Sequence, residues 1–238
     1  MSNKKVLITG VTGMMGSHAA DLWLAEGWDV VAPVRPTGRN LGAAEHLRDL
    51  DAIKFVECDI TDKFFISSLL AEEVPDVVLH YAAQSQVGTS FKQPDLTTNI
   101  NVSGSLNLLE GMRLYTPEAR GIFLATSEMF GNNFSYKVGD LAYQNEYTPF
   151  APVSPYGCSK LNMYHLVNNY RDSYNMPVSC VIQFNTESER RREYFVTRKI
   201  TNYVGKLHNL LLRNSGYVLF NRTFSFPSDP NTHYPIRS

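Results

Sequence analysis

Six short apolar runs punctuate the chain: "KVLIT" (5–9), "DVVAPV" (29–34), "IKFVE" (53–57), "DVVLHY" (76–81), "GIFLAT" (121–126) and "VSCVIQF" (178–184). Each is short, rich in β-branched or aromatic residues, and bounded by polar or glycine-containing segments, which predicts a strand. Between them, apolar positions recur at helical spacing over about 14–27, 62–73, 95–115 and 155–174. Strands that are apolar without alternation are buried on both faces, as in a parallel sheet covered by helices on each side. Right-handed crossovers between such strands leave one architecture, a doubly wound, nucleotide-binding α/β sheet.

The pattern changes after about residue 186. "ESERRREYFVTRKI" is dense in charge, and a helical period continues over 193–213. The final "NRTFSFPSDPNTHYPIRS" has three prolines and neither a helical nor an alternating period, so it reads as irregular chain. The expected division is a Rossmann-like dinucleotide-binding domain over 1–187 and a partial substrate-domain segment over 188–238.

Composition narrows the partners. A net charge of −1 over 238 residues argues against nucleic acid and against an anionic membrane as partner. The apolar run near the N-terminus is too short for a signal peptide, and no stretch approaches the ~20 apolar residues of a membrane span. Cys58, Cys158 and Cys180 are scattered and odd in number, which fits reduced thiols and a cytoplasmic protein. The histidines show no metal-ligand spacing, and no metal is expected.

"TGVTGMMGSH" follows the first strand and opens the first helix, with Gly10, Gly13 and Gly16 at the turn. Glycine there permits a tight turn and close approach of a pyrophosphate to backbone N–H groups at a helix N-terminus. The second strand ends in "VAPVRPTGR", where an NAD-binding sheet carries an acid for the ribose 2′-hydroxyl. Arg35, with Arg39 beyond it, instead offers donors for a 2′-phosphate, and NADP is the expected cofactor. Asp59, in "ECDITD" after the third strand, is placed to accept from an adenine amino group, while Asp62 suits a helix N-cap. "YAAQSQV" ends the fourth strand. The small Ala82 and Ala83 leave room for the dinucleotide, and Gln84 and Ser85 line its path.

The second half carries acid–base chemistry. In "SPYGCSK", Tyr156 and Lys160 are four residues apart and share one helix face. A positive charge beside a phenol favours the phenolate and makes it a usable base. "LATSEMFG" brings Thr126, Ser127 and Glu128 to the carboxyl edge of the sheet, where ligands bind in open α/β folds. A Thr or Ser hydroxyl there can hold a substrate hydroxyl undergoing oxidation. A carboxylate such as Glu128 is needed only if a proton must also leave a carbon next to a carbonyl.

Together, "TGVTGMMGSH", "AAQSQVGTSF", "TSEMFG", "TPFAPVSPYGCSK" and "FVTRKIT" resemble the GDP-mannose 4,6-dehydratase family, within the extended short-chain dehydrogenase/reductases, over about residues 4 to 207. The resemblance implies a catalytic set of Thr126, Glu128, Tyr156 and Lys160. It adds Thr12, Met14, Met15, Ile60 and Arg191 to the cofactor contacts, along with Tyr156 and Lys160 themselves. It implies conversion of GDP-mannose to GDP-4-dehydro-6-deoxy-mannose with transient hydride transfer to NADP, in a homodimer or homotetramer. The helices over 95–115 and 155–174 would supply the pairing faces. Leu106, Leu109, Leu161 and Leu166 fit either such faces or the internal core. Thr186 stands where the family usually has histidine, Leu96 where tyrosine is common, and Pro36 where a second arginine is usual. The family pattern also runs on for roughly a hundred residues beyond "FVTRKIT", so the chain reads as a C-terminally truncated member. A 4-epimerase or ketoreductase of the same superfamily, and an NADP-binding homologue without turnover, remain open.

Overall fold

The computed structural model describes residues 4–35, 41–139 and 141–213. Among the described residues, eight strands and seven α-helices form; the strands are β1 (Lys5–Thr9), β2 (Asp29–Val34), β3 (Ile53–Glu57), β4 (Val77–His80), β5 (Arg120–Thr126), β6 (Tyr136–Val138), β7 (Leu141–Tyr143) and β8 (Val178–Gln183). Six of them make one parallel sheet in the order β3-β2-β1-β4-β5-β8. The chain builds outward from β1 to β3, then returns to the other side of β1 to place β4. That reversal opens a crevice above the carboxyl ends of β1 and β4, where such sheets bind ligands.

The seven α-helices are α1 (Met14–Ala25), α2 (Lys63–Glu73), α3 (Val87–Lys92), α4 (Pro94–Thr98), α5 (Gly104–Tyr115), α6 (Pro155–Tyr174) and α7 (Val196–Arg213). The central strands β1, β2 and β4 are almost wholly apolar because each feeds two cores. Leu7, Val31, Val78 and Phe123 pack with Ile66, Leu70, Leu108, Met112 and Met163 on one face. Val6, Ile8, Val30, Ala32 and Leu79 pack on the other face with Ala20 of α1 and with Ala44 and Leu47. Adjacent residues of β1 therefore point into different cores, as the period of two requires. Asp62 caps α2 by accepting from the Phe65 N–H at 3.0 Å, the role its position in the sequence predicts.

Three expectations change. The single helix over 95–115 is α4 and α5 joined by a π turn, Asn99–Ser103. A π turn inserts one extra residue and is frequent at functional sites. Here it points Asn101 into the interior, where its side chain meets Gln84 and Ser159. The fourth strand is shorter than 76–81, because the chain leaves the sheet after His80 toward the crevice. Antiparallel pairing of Tyr136 with Tyr143 and of Val138 with Leu141 makes a hairpin that the sequence pattern did not predict. Its tyrosines stack at 5.0 Å, but three-residue strands fall below the window of a periodicity argument.

The chain divides after Thr186 into two compact units. In the second, α7 carries an apolar stripe of Val196, Ile200, Tyr203, Val204 and Leu207. The proline-rich tail assigned to irregular chain lies outside the described residues beyond 213. Leu109 is fully buried in the core, with Leu106, Leu161 and Leu166 packed partly exposed against it. Among the described residues, no helix is long and apolar enough to cross a membrane.

Candidate active site

The first side of the crevice is backbone. Gly10 follows β1 with φ of 74°, a conformation that glycine adopts without penalty. A Cβ there would stand 2.6 Å from the Ala82 nitrogen, and one on Gly16 would run into the carbonyl oxygen of Gly10. The turn is thus closed against β4 and against its own helix. Gly13 caps α1 with no side-chain hydrogen bond, and the first turn of α1 contains no acid. The N–H groups there and the positive end of the helix dipole remain for an anion. Thr12 and Met15 are half-buried beside this turn, and Met14 is buried beneath it. The Met15 sulfur accepts from the Gln183 side-chain amide at 3.4 Å, which ties the loop to β8. This tight turn, whose packing side chains at Gly10 or Gly16 would break, presents the helix N-terminus to the crevice and fits a dinucleotide pyrophosphate.

Other proposed cofactor contacts ring the same edge. Arg35 is exposed directly after β2, whereas Arg39 and Pro36 lie outside the described residues. The chain returns at Gly42 and Ala43, whose N–H donates to the Thr12 carbonyl at 3.2 Å. Asp59 is half-buried, and its Oδ1 accepts from the Thr61 N–H and hydroxyl at 2.9 and 2.8 Å. One carboxylate oxygen therefore shapes the turn after β3, which the sequence reading did not assign to it. Ile60 is buried below that turn. Ala82, Ala83 and Gln84 are half-buried and Ser85 exposed. The Gln84 amide donates to the Gln86 carbonyl and Thr97 hydroxyl, so its side chain holds the crevice wall in shape. Arg191 belongs to the second unit, where it pairs with Glu187 at 3.3 Å and lies 3.5 Å over the Phe195 ring.

The second side is built by β5 and α6. Thr126 ends β5 and caps a single 3-10 turn, Ser127–Met129, by accepting from the Glu128 N–H at 3.3 Å. Ser154 caps α6 by accepting from the Gly157 N–H at 3.0 Å, with Pro155 in the first turn. Gly157 lets the two meet, since a Cβ there would stand 2.8 Å from the Glu128 carbonyl oxygen. Half-buried Glu128 is consequently held against the turn of α6 that carries Tyr156. Tyr156 and Thr126 are each only 9% exposed. Lys160 is 3% exposed and donates to the Leu124 carbonyl at 2.7 Å. Burial pulls its pKa down to about 8, slightly opposed by the Cys180 thiol.

A buried polar chain behind this site escaped the sequence reading. Thr9, His80, Asn101, Ser105 and Ser159 are all at most 3% exposed and bonded to one another in series. The only signal was a histidine inside an otherwise apolar strand, "VVLHY", which a strand pattern absorbs as filler. Among the described residues, no group of three or more His, Cys, Asp or Glu could hold a metal ion.

The six-stranded parallel sheet, whose order reverses between β1 and β4 beside a glycine turn that opens α1, is the fold of the short-chain dehydrogenase/reductases. Within that class the chain belongs to the GDP-mannose 4,6 dehydratase family, whose profile matches residues 7–221. It is 43% identical over 204 residues to GDP-mannose 4,6-dehydratase sdnI of Sordaria araneosa, covering 84% of this chain and 36% of that protein. It is 40% identical over 206 residues to the GDP-mannose 4,6-dehydratase of Vibrio cholerae, covering 83% and 54%. The fold is similar to that of UDP-glucuronic acid 4-epimerase from Bacillus cereus, solved with UDP-glucuronic acid and NAD. The TM-score is 0.72 at 27% identity, covering 85% of this chain and 63% of that one. The chain thus spans about half the length of the Vibrio relative and about a third of the Sordaria one.

Proposed function

We propose that this chain carries the dinucleotide-binding and acid–base half of an NADP-dependent GDP-mannose 4,6-dehydratase, a hydro-lyase. The observation that carries the reading is the close approach of the Glu128 backbone carbonyl to Gly157, which puts the residue that bears this carboxylate beside the helix turn of Tyr156. Oxidation and reduction at a sugar carbon alone would need the tyrosine and lysine but no such carboxylate.

Gly10, Thr12, Gly13, Met14, Met15 and Gly16 would hold the pyrophosphate, and Arg35 a 2′-phosphate. Asp59, Ile60, Ala82, Ala83, Gln84, Ser85 and Arg191 would complete the cofactor contacts. When bound, the nicotinamide would supply a reversible acceptor for the hydride that leaves C4 of the hexose and returns at C6. Tyr156 removes the C4 hydroxyl proton, and Thr126 holds the oxygen as it becomes a ketone. The buried ammonium of Lys160 favours the phenolate. The ketone acidifies C5–H, Glu128 takes that proton and passes it to the C6 hydroxyl, which leaves as water, and the phenol of Tyr156 returns its proton to C5 as the hydride reaches C6. The net change is loss of one water from GDP-mannose, with the cofactor restored. A cytoplasmic homodimer or homotetramer belongs to the same proposal.

Incubation with GDP-mannose and NADP⁺ in deuterated water tests it. A product lighter by one water and labelled at C5 is expected. A 4-epimer of unchanged mass would replace the dehydratase by an epimerase. A second reading concerns these 238 residues by themselves, which match 54% of the Vibrio relative: they bind NADP without turnover, because elimination through a reactive ketone needs a closed site. Saturable NADPH binding with no reaction of GDP-mannose would select that reading.

A further inference from the structure

His80 ends β4 directly opposite Thr9, its register partner at the end of β1. It is fully buried, and both ring nitrogens are engaged. Nδ1 lies 2.8 Å from the Thr9 hydroxyl and Nε2 lies 2.9 Å from the Ser105 hydroxyl. The direction of every proton in this chain follows from its neighbours. The Thr9 oxygen accepts the Ala82 N–H at 3.2 Å, and its one proton is the donor for Nδ1 once Nε2 is the protonated nitrogen, as the Ser105 bond requires. The Ser105 hydroxyl donates to the Asn101 carbonyl at 2.6 Å, so its oxygen accepts from Nε2. The ring is therefore neutral, with its proton on Nε2. A second proton on Nδ1 would break the Thr9 bond and add a charge inside a dry core facing the Lys160 ammonium.

The chain of bonds continues beyond the imidazole. The π turn points Asn101 inward, where its amide oxygen accepts from the Gln84 N–H at 2.8 Å. Its amide nitrogen donates to the Gln84 carbonyl at 3.1 Å and to the Ser159 hydroxyl at 2.9 Å. Ser159 donates in turn to the carbonyl of Tyr156 at 2.7 Å. One uninterrupted series links the exit of β1, where the glycine turn starts, to the first turn of α6. Such a series is stiff only if every member is satisfied, and breaking it at the centre leaves buried groups unpaired at both ends.

We infer that His80 is a positioning residue that fixes the glycine turn and the Tyr156 turn in one register, through Ser105, Asn101 and Ser159. It touches neither ligand, and its effect on turnover rests on the dehydratase reading above. Sequence spacing alone does not suggest it, because residues 17–154 separate the two turns it joins.

The test uses the whole chain and four variants: His80→Leu, Ser105→Ala, Ser159→Ala, and the double variant Ser105→Ala/Ser159→Ala. The serine changes delete single hydroxyls and keep the experiment meaningful if His80→Leu does not fold. Nitrogen-15 NMR of the histidines at neutral pH is expected to show the His80 proton on Nε2, exchanging slowly with solvent. Amide hydrogen exchange is expected to rise at least about tenfold in Ser105→Ala over both 82–85 and 155–160, leaving α2 unchanged. If the wild-type chain turns over, kcat falls about ten- to a hundredfold while NADPH affinity and the KM for GDP-mannose stay within a few fold. The double variant then does no worse than the poorer single one, because both break one series. A proton on Nδ1, or exchange that rises at 82–85 without rising at 155–160, overturns the inference. So does a loss that multiplies in the double variant. A wild-type chain without turnover would refute the dehydratase reading only, since the NMR and exchange outcomes still decide this one.

Discussion

The ammonium of Lys160 donates to the carbonyl oxygen of Leu124 at 2.7 Å, which ties the first turns of α6 to the last residues of β5. A buried lysine held by one carbonyl is still a charge taken out of water, and this is why its pKa falls to about 8. An unfolded lysine titrates near 10.4. Between those two values the unfolded chain binds more protons than the native one, so folding stability from this group rises with pH. Below about pH 8 both states are charged and the full penalty persists.

Comparing wild type with Lys160→Met isolates that dependence. The constant terms, including the lost bond to Leu124, cancel when two pH values are compared. From pH 7 to about 10.5 the difference in unfolding free energy should move toward the wild type by on the order of 3 kcal/mol. Urea unfolding at both pH values measures it. A flat difference, or one of opposite sign, would mean that Lys160 is not desolvated in solution.

Tyr156→Phe removes one oxygen from a nearly buried ring and leaves the glycine turn untouched. Turnover of GDP-mannose should fall about 10²–10⁴-fold, with NADPH binding within a few fold of wild type. Glu128→Gln should act later in the sequence. Deuterium exchange at C5 and loss of water should stop, while oxidation at C4 continues. Retention of full dehydration by either variant removes that residue from the proposed chemistry.

How much of this was legible beforehand depends on how local the signal was. Leu7 and its neighbours Val6 and Ile8 announced a strand buried on both faces, because each side chain had to be apolar. Tyr156 and Lys160 shared a helix face by spacing alone. Asn101 was hidden for a physical reason. A π turn shifts the helical phase by one residue, and a 21-residue pattern tolerates that shift without losing its apolar stripe. His80 and Ser105 were hidden differently, since their meaning comes from partners in other elements. The second role of Asp59, holding Thr61, was an Asx-turn whose signal, Asp two residues before Thr, was present but assigned to ligand binding alone.

The glycine turn offers a controlled pair of substitutions. Gly10 and Gly27 both have positive φ, 74° and 75°. A Cβ on Gly27 would meet nothing within 4 Å, whereas one on Gly10 would press on the backbone of Ala82 and Tyr81. Gly27→Ala should therefore cost only the left-handed strain, about 1 kcal/mol, and leave NADPH binding intact. Gly10→Ala should cost at least about 2 kcal/mol and abolish binding, because the turn must move away from β4. Thermal unfolding with and without NADPH reads both. Equal effects at the two positions would mean that the turn does not close against β4 as described.

The proposed preference for NADP rests on Arg35. It is exposed immediately after β2, and its guanidinium is the first charge on the strand end, where an acid would instead hold a ribose 2′-hydroxyl. A charge-assisted bond to a phosphate contributes about 1.5–3 kcal/mol, or roughly ten- to a hundredfold in affinity. Arg35→Ala should weaken NADPH binding by that factor and change NADH binding little, because NADH has no 2′-phosphate. Arg35→Asp should go further and favour NADH, since the new carboxylate repels the phosphate and accepts from the hydroxyl. Screening by salt gives an independent check, because exposed charges more than about 8 Å apart interact weakly at 0.15 M ionic strength. Wild-type affinity for NADPH should fall as salt rises, and this dependence should shrink in Arg35→Ala. Fluorescence titration with both reduced cofactors at two salt concentrations gives all the values needed. Equal affinity of the wild type for NADH and NADPH would end the NADP assignment, whatever the variants do.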